Sequence, residues 1–326
     1  MPGMTGTGSD WRVVDGVRTA WFDASSLVEG AGLAGRIMEL SGEILVDARV
    51  SGVRPGEEGD LVDPLRRDPD LRIRQSTELR PLRHRVHLDV VRPAAAVDQA
   101  SLGDGRGPYG VCHADPDGND VDLVPGDVIS EKIGTGDWAA VFSAMACYRT
   151  TSPGQQRDLT AAAAELADRS GFALLVDLRP GLVIVDSGKD QWEDDVHGLD
   201  IDFTELAAEL QATARGLGAT ADPGLPRFVQ LFLDAADVAA VRAFWIAALG
   251  YTADQRAGVT DIHDPRRLNP VLVFQESKRR RSSGASSATA SSSSSPCRRT
   301  SCRRASPRPS RRAADSRGVG RSLAPR

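Results

Sequence analysis

The chain has 326 residues, 40% of them hydrophobic, enough for about two domains of ~150 residues with ordinary cores. Its formal charge of −5 conceals an asymmetry, because residues 277–326 carry fourteen Lys and Arg against one acid, Asp315, and so leave residues 1–276 near −18. Such an acidic body excludes an electrostatic footprint for nucleic acid anywhere but the basic tail, and points to a small-molecule ligand as the partner.

Residues 1–9 read as a flexible N-terminus. At Asp10 the stretch DWRVVDGVRTAWFDASS opens a unit that returns at Asp137 as DWAAVFSAMACYRTTSP, each copy running into a helical segment that ends in Ser-Gly, at Ser41-Gly42 and Ser170-Gly171. The first copy, residues 10–54, breaks off after DARVSGVR. Within it Gly30, Gly32 and Gly35 fit G-x-G-x-x-G and mimic a dinucleotide fingerprint. The second copy has Arg157, Leu159 and Ala162 at those places, so this helix needs no glycine for a phosphate, and the nucleotide reading is set aside.

Residues 59–127 open on a second repeat: DLVDPLRRDPDLRIRQS at Asp60 matches DIHDPRRLNPVLVFQES at Asp261, aligning Asp63 with Asp264 and Gln75 with Gln275. HRVHLDVV then predicts a strand, Ala94 to Leu102 a short helix, and GVCHAD with DVDLVP a hairpin around Pro116-Asp117-Gly118-Asn119. Asp115, Asp117 and Asp120 are read as turn residues. An EF-hand is excluded because the twelfth position from Asp115 is Gly126. Asp122 differs from its neighbours, since it lies in the strand after the turn.

In residues 137–218 the expected order is strand, helix, strand, strand, helix. Ser152 caps the first helix, Pro153 suits its first position and Gly171 closes it; Asp202 with Glu205 reads as a capping box for the second, Phe203 to Arg215. Between them DSGKDQWEDD lacks the glycine spacing of a P-loop and reads as a polar loop, with Trp192 either covering a core edge or facing a ligand. His197 reads as a solvated loop residue. Residues 225–276 give a strand, a helix from Ala236 to Leu249 closed by Gly250, a strand directly after it, and two more strands in VTDIHD and PVLVFQ.

The tail, residues 277–326, has almost no apolar periodicity and is expected to be disordered. Its Arg, Ser, Ala and Pro bias is what an out-of-frame reading of GC-rich DNA produces, so a frameshift near Glu276 is the leading expectation and a basic nucleic-acid-binding arm the other. Cys112, Cys147, Cys297 and Cys302 match neither a disulfide framework nor a zinc spacing, which favours a reducing cytoplasm. No apolar run approaches ~18 residues and the first residues lack a signal peptide, so no membrane partner is expected.

The pattern FLDAADVAAVRAFWIAALGY, with VHLDVV and DPDGNDVDLVPG, resembles the βαβββ glyoxalase-like modules of the vicinal oxygen chelate superfamily, over roughly Gly59 to Asp127 and Leu225 to Glu276. Cys147 to Ala214 resembles pterin-4a-carbinolamine dehydratase, through LTAAAAELADRSG and HGLDIDFTELAAEL. The implied fold class is α+β, with glyoxalase-like half-modules alternating with dehydratase-like units. The first resemblance implies a divalent metal held from the first and last strands of each half-module, at His87 and Asp122 in one half and Gln230 and Gln275 in the other, serving lyase, isomerase or dioxygenase-type chemistry. The second implies a His pair that falls here on Phe172 and Ala173, and a third His near Asp186 or Ser187, so it implies a fold better than an activity. A non-catalytic protein that sequesters its ligand is the remaining expectation. The two glyoxalase-like halves are expected to pair within one molecule into an eight-stranded cavity, or between two molecules as a homodimer.

Overall fold

The computed structural model describes residues 12–14, 17–20, 22–40, 60–61, 63, 67–68, 71–72, 86–193 and 196–276. The expectations for the tail, its frame and Gln75 lie outside these residues. Among them the chain is α+β, with five helices and one curled, half-barrel sheet of twelve strands in mixed directions.

Strands β1 (Arg12–Val14) and β2 (Val17–Thr19) form a small hairpin ahead of helix α1 (Leu27–Leu40). Strands β3 (Asp60–Leu61) and β4 (Leu71–Arg72) form another. Then come β5 (Val86–Pro93), α2 (Ala94–Ala100), β6 (Cys112–Ala114) and β7 (Asp120–Val128). The central unit contributes β8 (Trp138–Ala140), β9 (Ala144–Arg149), α3 (Pro153–Ser170), β10 (Leu175–Arg179), β11 (Leu182–Asp186), α4 (Phe203–Gly216) and β12 (Thr220–Ala221). The last stretch is β13 (Phe228–Ala235), α5 (Val238–Leu249), β14 (Thr252–Ala253), β15 (Ile262–His263) and β16 (Val271–Glu276).

Local chemistry sets the element ends. Ser152 Oγ accepts from the amide of Gln155 at 3.1 Å and Asp237 Oδ1 from that of Ala240 at 3.0 Å, while Gly171 and Gly250 close their helices in the left-handed region. Asp202 Oδ1 accepts from Thr204 at 2.8 Å, but Glu205 turns to Lys132 at 3.2 Å, so the reciprocal half of the expected capping box is replaced by an ion pair. In the β6–β7 turn Asp115 Oδ1 takes the amides of Asp117 and Asn119, and Gly118 has φ +85°, which is the turn chemistry expected there.

Both repeats are geometric as well as textual. Leu61 pairs with Leu71 in the β3–β4 hairpin as Ile262 pairs with Leu272 between β15 and β16, at equivalent places of the second repeat. In the first repeat each copy runs strand, strand, helix, which corrects the expected strand-helix order, because Val141-Phe142-Ser143 makes a tight reversal inside what reads as one apolar run. The glycines of the fingerprint mimic lie inside α1, not at a strand-to-helix turn. Gly35 faces α3, where an added Cβ would meet the Arg157 side chain at 3.2 Å.

The sheet order is β10-β11-β9-β8-β7-β5-β13-β16-β15-β14, with β12 on β9 and β6 on β7. Strands β5 and β7 run parallel, as do β13 and β16, and the two crossover units meet through the antiparallel β5–β13 pair, so the halves join within one chain. Among the described residues, seven strands of this sheet, not eight, come from these halves; on the far side β7 pairs with β8, tying the central unit into the same sheet.

Alternation along these strands assigns the faces. Leu231 and Leu233 turn outward beneath α5, with Ile262, Leu272 and Phe274. Val91 and Phe228 turn inward and meet Met145, Cys147, Leu182 and Ile184 from the central unit. Helices α3 and α4 cover the other face of that unit over Trp138, Tyr148, Leu159, Val183 and Phe203. The inward side of β5, β7 and β13 is thereby roofed by the central unit, which lies between β7 and β13 in the chain.

Candidate metal centre

On the inward face, one residue pair along from the apolar Val124–Val91–Phe228 row, the registers align Asp122 of β7 with Asp89 of β5 and Asp89 with Gln230 of β13. His87 lies two residues before Asp89, so the period-2 alternation turns it to the same side. Its ring stacks on Phe232, its cross-strand partner, with centroids 4.9 Å apart and planes 13° from parallel. His87, Asp89 and Asp122 each offer a ligand atom, and these three atoms lie within 4.8 Å of one another.

Asp89 is the least satisfied member. It is 5% exposed; Oδ2 accepts from Gln230 Nε2 at 3.1 Å, whereas Oδ1 has no hydrogen-bond partner and sits 3.6 Å from His87 Nε2. Burial, with a further push from the Asp122 charge, raises the Asp89 carboxyl to about 7, against the hydrogen bond from Gln230 and the charge of Lys189. A buried carboxylate oxygen with no donor costs free energy unless a cation or proton answers it.

Gln230, expected to offer its carbonyl to a metal, is fully buried and has both amide atoms engaged. Oε1 accepts from Lys189 Nζ at 2.8 Å while Nε2 donates to Asp89. Gln275 lies elsewhere, donating from Nε2 to Asp234 Oδ1 at 2.7 Å, in a row four residues along β13 from Gln230, or ~13 Å of extended strand. Trp192 is partly buried against the cluster beneath α3 and α4, on the opposite side of the central sheet from the roof over the site. His197 is half-buried rather than solvated: Nδ1 accepts from the Leu199 amide and the ring meets Phe172 edge-on at 5.6 Å. Phe172 itself, where the dehydratase resemblance implies a histidine, is core.

Sequence reasoning named His87 and Asp122 but missed Asp89, Lys189 and Asp261. Asp89 carried a readable signal, being two residues from His87 in a predicted strand. Lys189 carried none, because only the folding of the central unit over the half-barrel buries it. Cys112, paired in register with Asp122, has its thiol pushed up by partial burial and the neighbouring aspartates, and Cys147 is pushed up to about 12 by burial, so neither thiol is primed as a nucleophile.

One imidazole and two carboxylates form a hard, mostly oxygen donor set of the kind that holds a first-row divalent ion with positions left open. Comparison of the chain with protein-family models, curated proteins and solved structures found no match.

Proposed function

We propose that this is a divalent-metal protein of the glyoxalase-like, vicinal oxygen chelate type, with His87, Asp89 and Asp122 as ligands and a small molecule bearing neighbouring oxygens as its partner. The observation that carries this reading is the buried Asp89 Oδ1, without a hydrogen-bond partner, directed at His87 Nε2 with Asp122 beside them. Two crossover units joined within one chain through the β5–β13 pair support it.

When bound, the ion supplies Lewis acidity to substrate oxygens, the common requirement of lyase, isomerase and dioxygenase-type chemistry. The chain's own residues do the rest. Phe232 fixes the imidazole plane by stacking, Gln230 holds one oxygen of Asp89, and the apolar Val91, Val124 and Phe228 keep water from the neighbouring floor. Cys112 and Cys147 are free, which fits a reducing cytoplasm, and no helix among the described residues is long and apolar enough to cross a membrane.

Calorimetric titration of the chelator-treated full chain with Mn²⁺, Co²⁺ and Zn²⁺ tests this. One site per chain is expected, weakened at least about tenfold in His87→Ala and in Asp122→Asn. Equal binding by the wild type and both variants, or no binding by any, would refute the assignment.

A further inference from the structure

We infer that Lys189 is a positioning residue for the metal group: acting through the Gln230 amide, it determines which oxygen of Asp89 is presented to the ion. This rests on the metal reading above.

The argument is one of donors and acceptors. An ammonium only donates and a carboxylate only accepts, whereas an amide can present either end. Gln230 lies between one of each. Lys189 Nζ donates to its Oε1 at 2.8 Å, which leaves Nε2 to face Asp89 and donate to Oδ2 at 3.1 Å. Turning the amide over would set NH2 against ammonium and carbonyl against carboxylate, so the lysine dictates the orientation. With Oδ2 held, Oδ1 is the oxygen left toward His87.

Lys189 is itself firmly held. It is 6% exposed, forms a close ion pair with Asp261, and lies over the Phe142 ring, 5.8 Å from the centroid. Its loop is pinned on both sides: Gly188 donates to Asp186 Oδ1 at 2.7 Å, and the Asp190 amide to the Phe142 carbonyl at 2.7 Å. Gly188 and Asp190 both have positive φ, +80° and +59°, and this turns the lysine down onto β13. Asp190 is further tied to Arg256 at 3.0 Å. The chain Asp261–Lys189–Gln230–Asp89 therefore runs from the last strands, through a loop of the central unit, to the metal group, and the site depends on a unit that contributes none of its ligands.

The test uses the full chain, Co²⁺ as probe, and the variants Lys189→Met, Gln230→Met and the double substitution. In the metal-free protein, the Gln230 side-chain amide, assigned by its loss in Gln230→Met, should give two distinct, slowly exchanging NMR signals that lose their protection in Lys189→Met. Co²⁺ affinity should fall about tenfold in each single variant and no further in the double, with the same change in the cobalt visible spectrum. An unchanged Gln230 amide in Lys189→Met would sink the relay whatever the metal does. A changed amide with wild-type Co²⁺ affinity and spectrum would show that the lysine is structural only, as would losses that add in the double variant. If the wild type binds no Co²⁺ while the amide responds as expected, the metal reading has failed, and the assignment of Lys189 to metal positioning falls with it.

Discussion

Asp89 sits where folding and binding make opposite demands. Its carboxyl, raised to about 7 in the folded chain, has an ordinary value of 3.8 when unfolded, so between these values the native state holds a proton that the unfolded state has lost. Stability of the metal-free protein is therefore expected to fall as pH rises from about 4 to 7, by up to about 4 kcal/mol. In Asp89→Asn the side chain stays neutral and keeps an oxygen for Gln230. That variant should lack this part of the slope and be more stable than wild type at pH 8 in the presence of chelator. Urea unfolding of both proteins from pH 4 to 8 checks this, and parallel curves would contradict it. The site was half legible at this scale: His87 and Asp122 stand out by type and position, whereas the value of Asp89 comes from burial, which depends on chain arriving almost a hundred residues later.

Elements were more readable than residues where the signal was local. Caps at Ser152 and Asp202 and stops at Gly171 and Gly250 act over one turn of helix and fall where the sequence places them, whereas the last helix, expected from Ala236, begins at Val238 with Asp237 as its cap. Ser152→Ala should cost about 1 kcal/mol in urea unfolding, because the Gln155 amide loses its acceptor. The β8–β9 reversal was not readable, since Ala139 to Ala146 is apolar or small throughout and offers no Gly, Pro or Asn to punctuate it. Helix α5 illustrates the reverse case. It is apolar nearly all round, and only the side of Val238, Val241, Trp245 and Ile246 packs on the sheet, leaving Ala239, Ala240, Ala243, Phe244, Ala247 and Ala248 exposed. Phe244, 63% exposed, should tolerate Lys with a stability change within about 0.5 kcal/mol, and the substitution should raise the concentration at which light scattering begins.

At the scale of the molecule, the repeats announced modular organisation, and the copies of the first do share a strand, strand, helix order and those of the second a strand register. What they left open was whether the modules stand apart, and the β7–β8 and β5–β13 pairings answer that by running one sheet through the two crossover halves and the central unit. Such long-range pairing is invisible to local pattern, because it is specified by which faces are left to bury. One sheet implies one transition. Variants retaining only Trp138, in the core of the central unit, or only Trp245, beneath α5, should unfold at the same denaturant concentration. Two separate midpoints would show that the halves are joined without being cooperative.

The β5–β13 pair also sets a schedule for biosynthesis. Asp89 and Gln230 are hydrogen-bonded across 141 positions of sequence. At ~5–20 residues per second, a ribosome takes roughly seven to thirty seconds to deliver the second strand after the first. For that interval β5 waits on the nascent polypeptide with its central edge open and its histidine and aspartate uncovered, so crowding on polysomes and the supply of chaperones, more than native-state stability, should govern how much of this protein a cell makes in usable form.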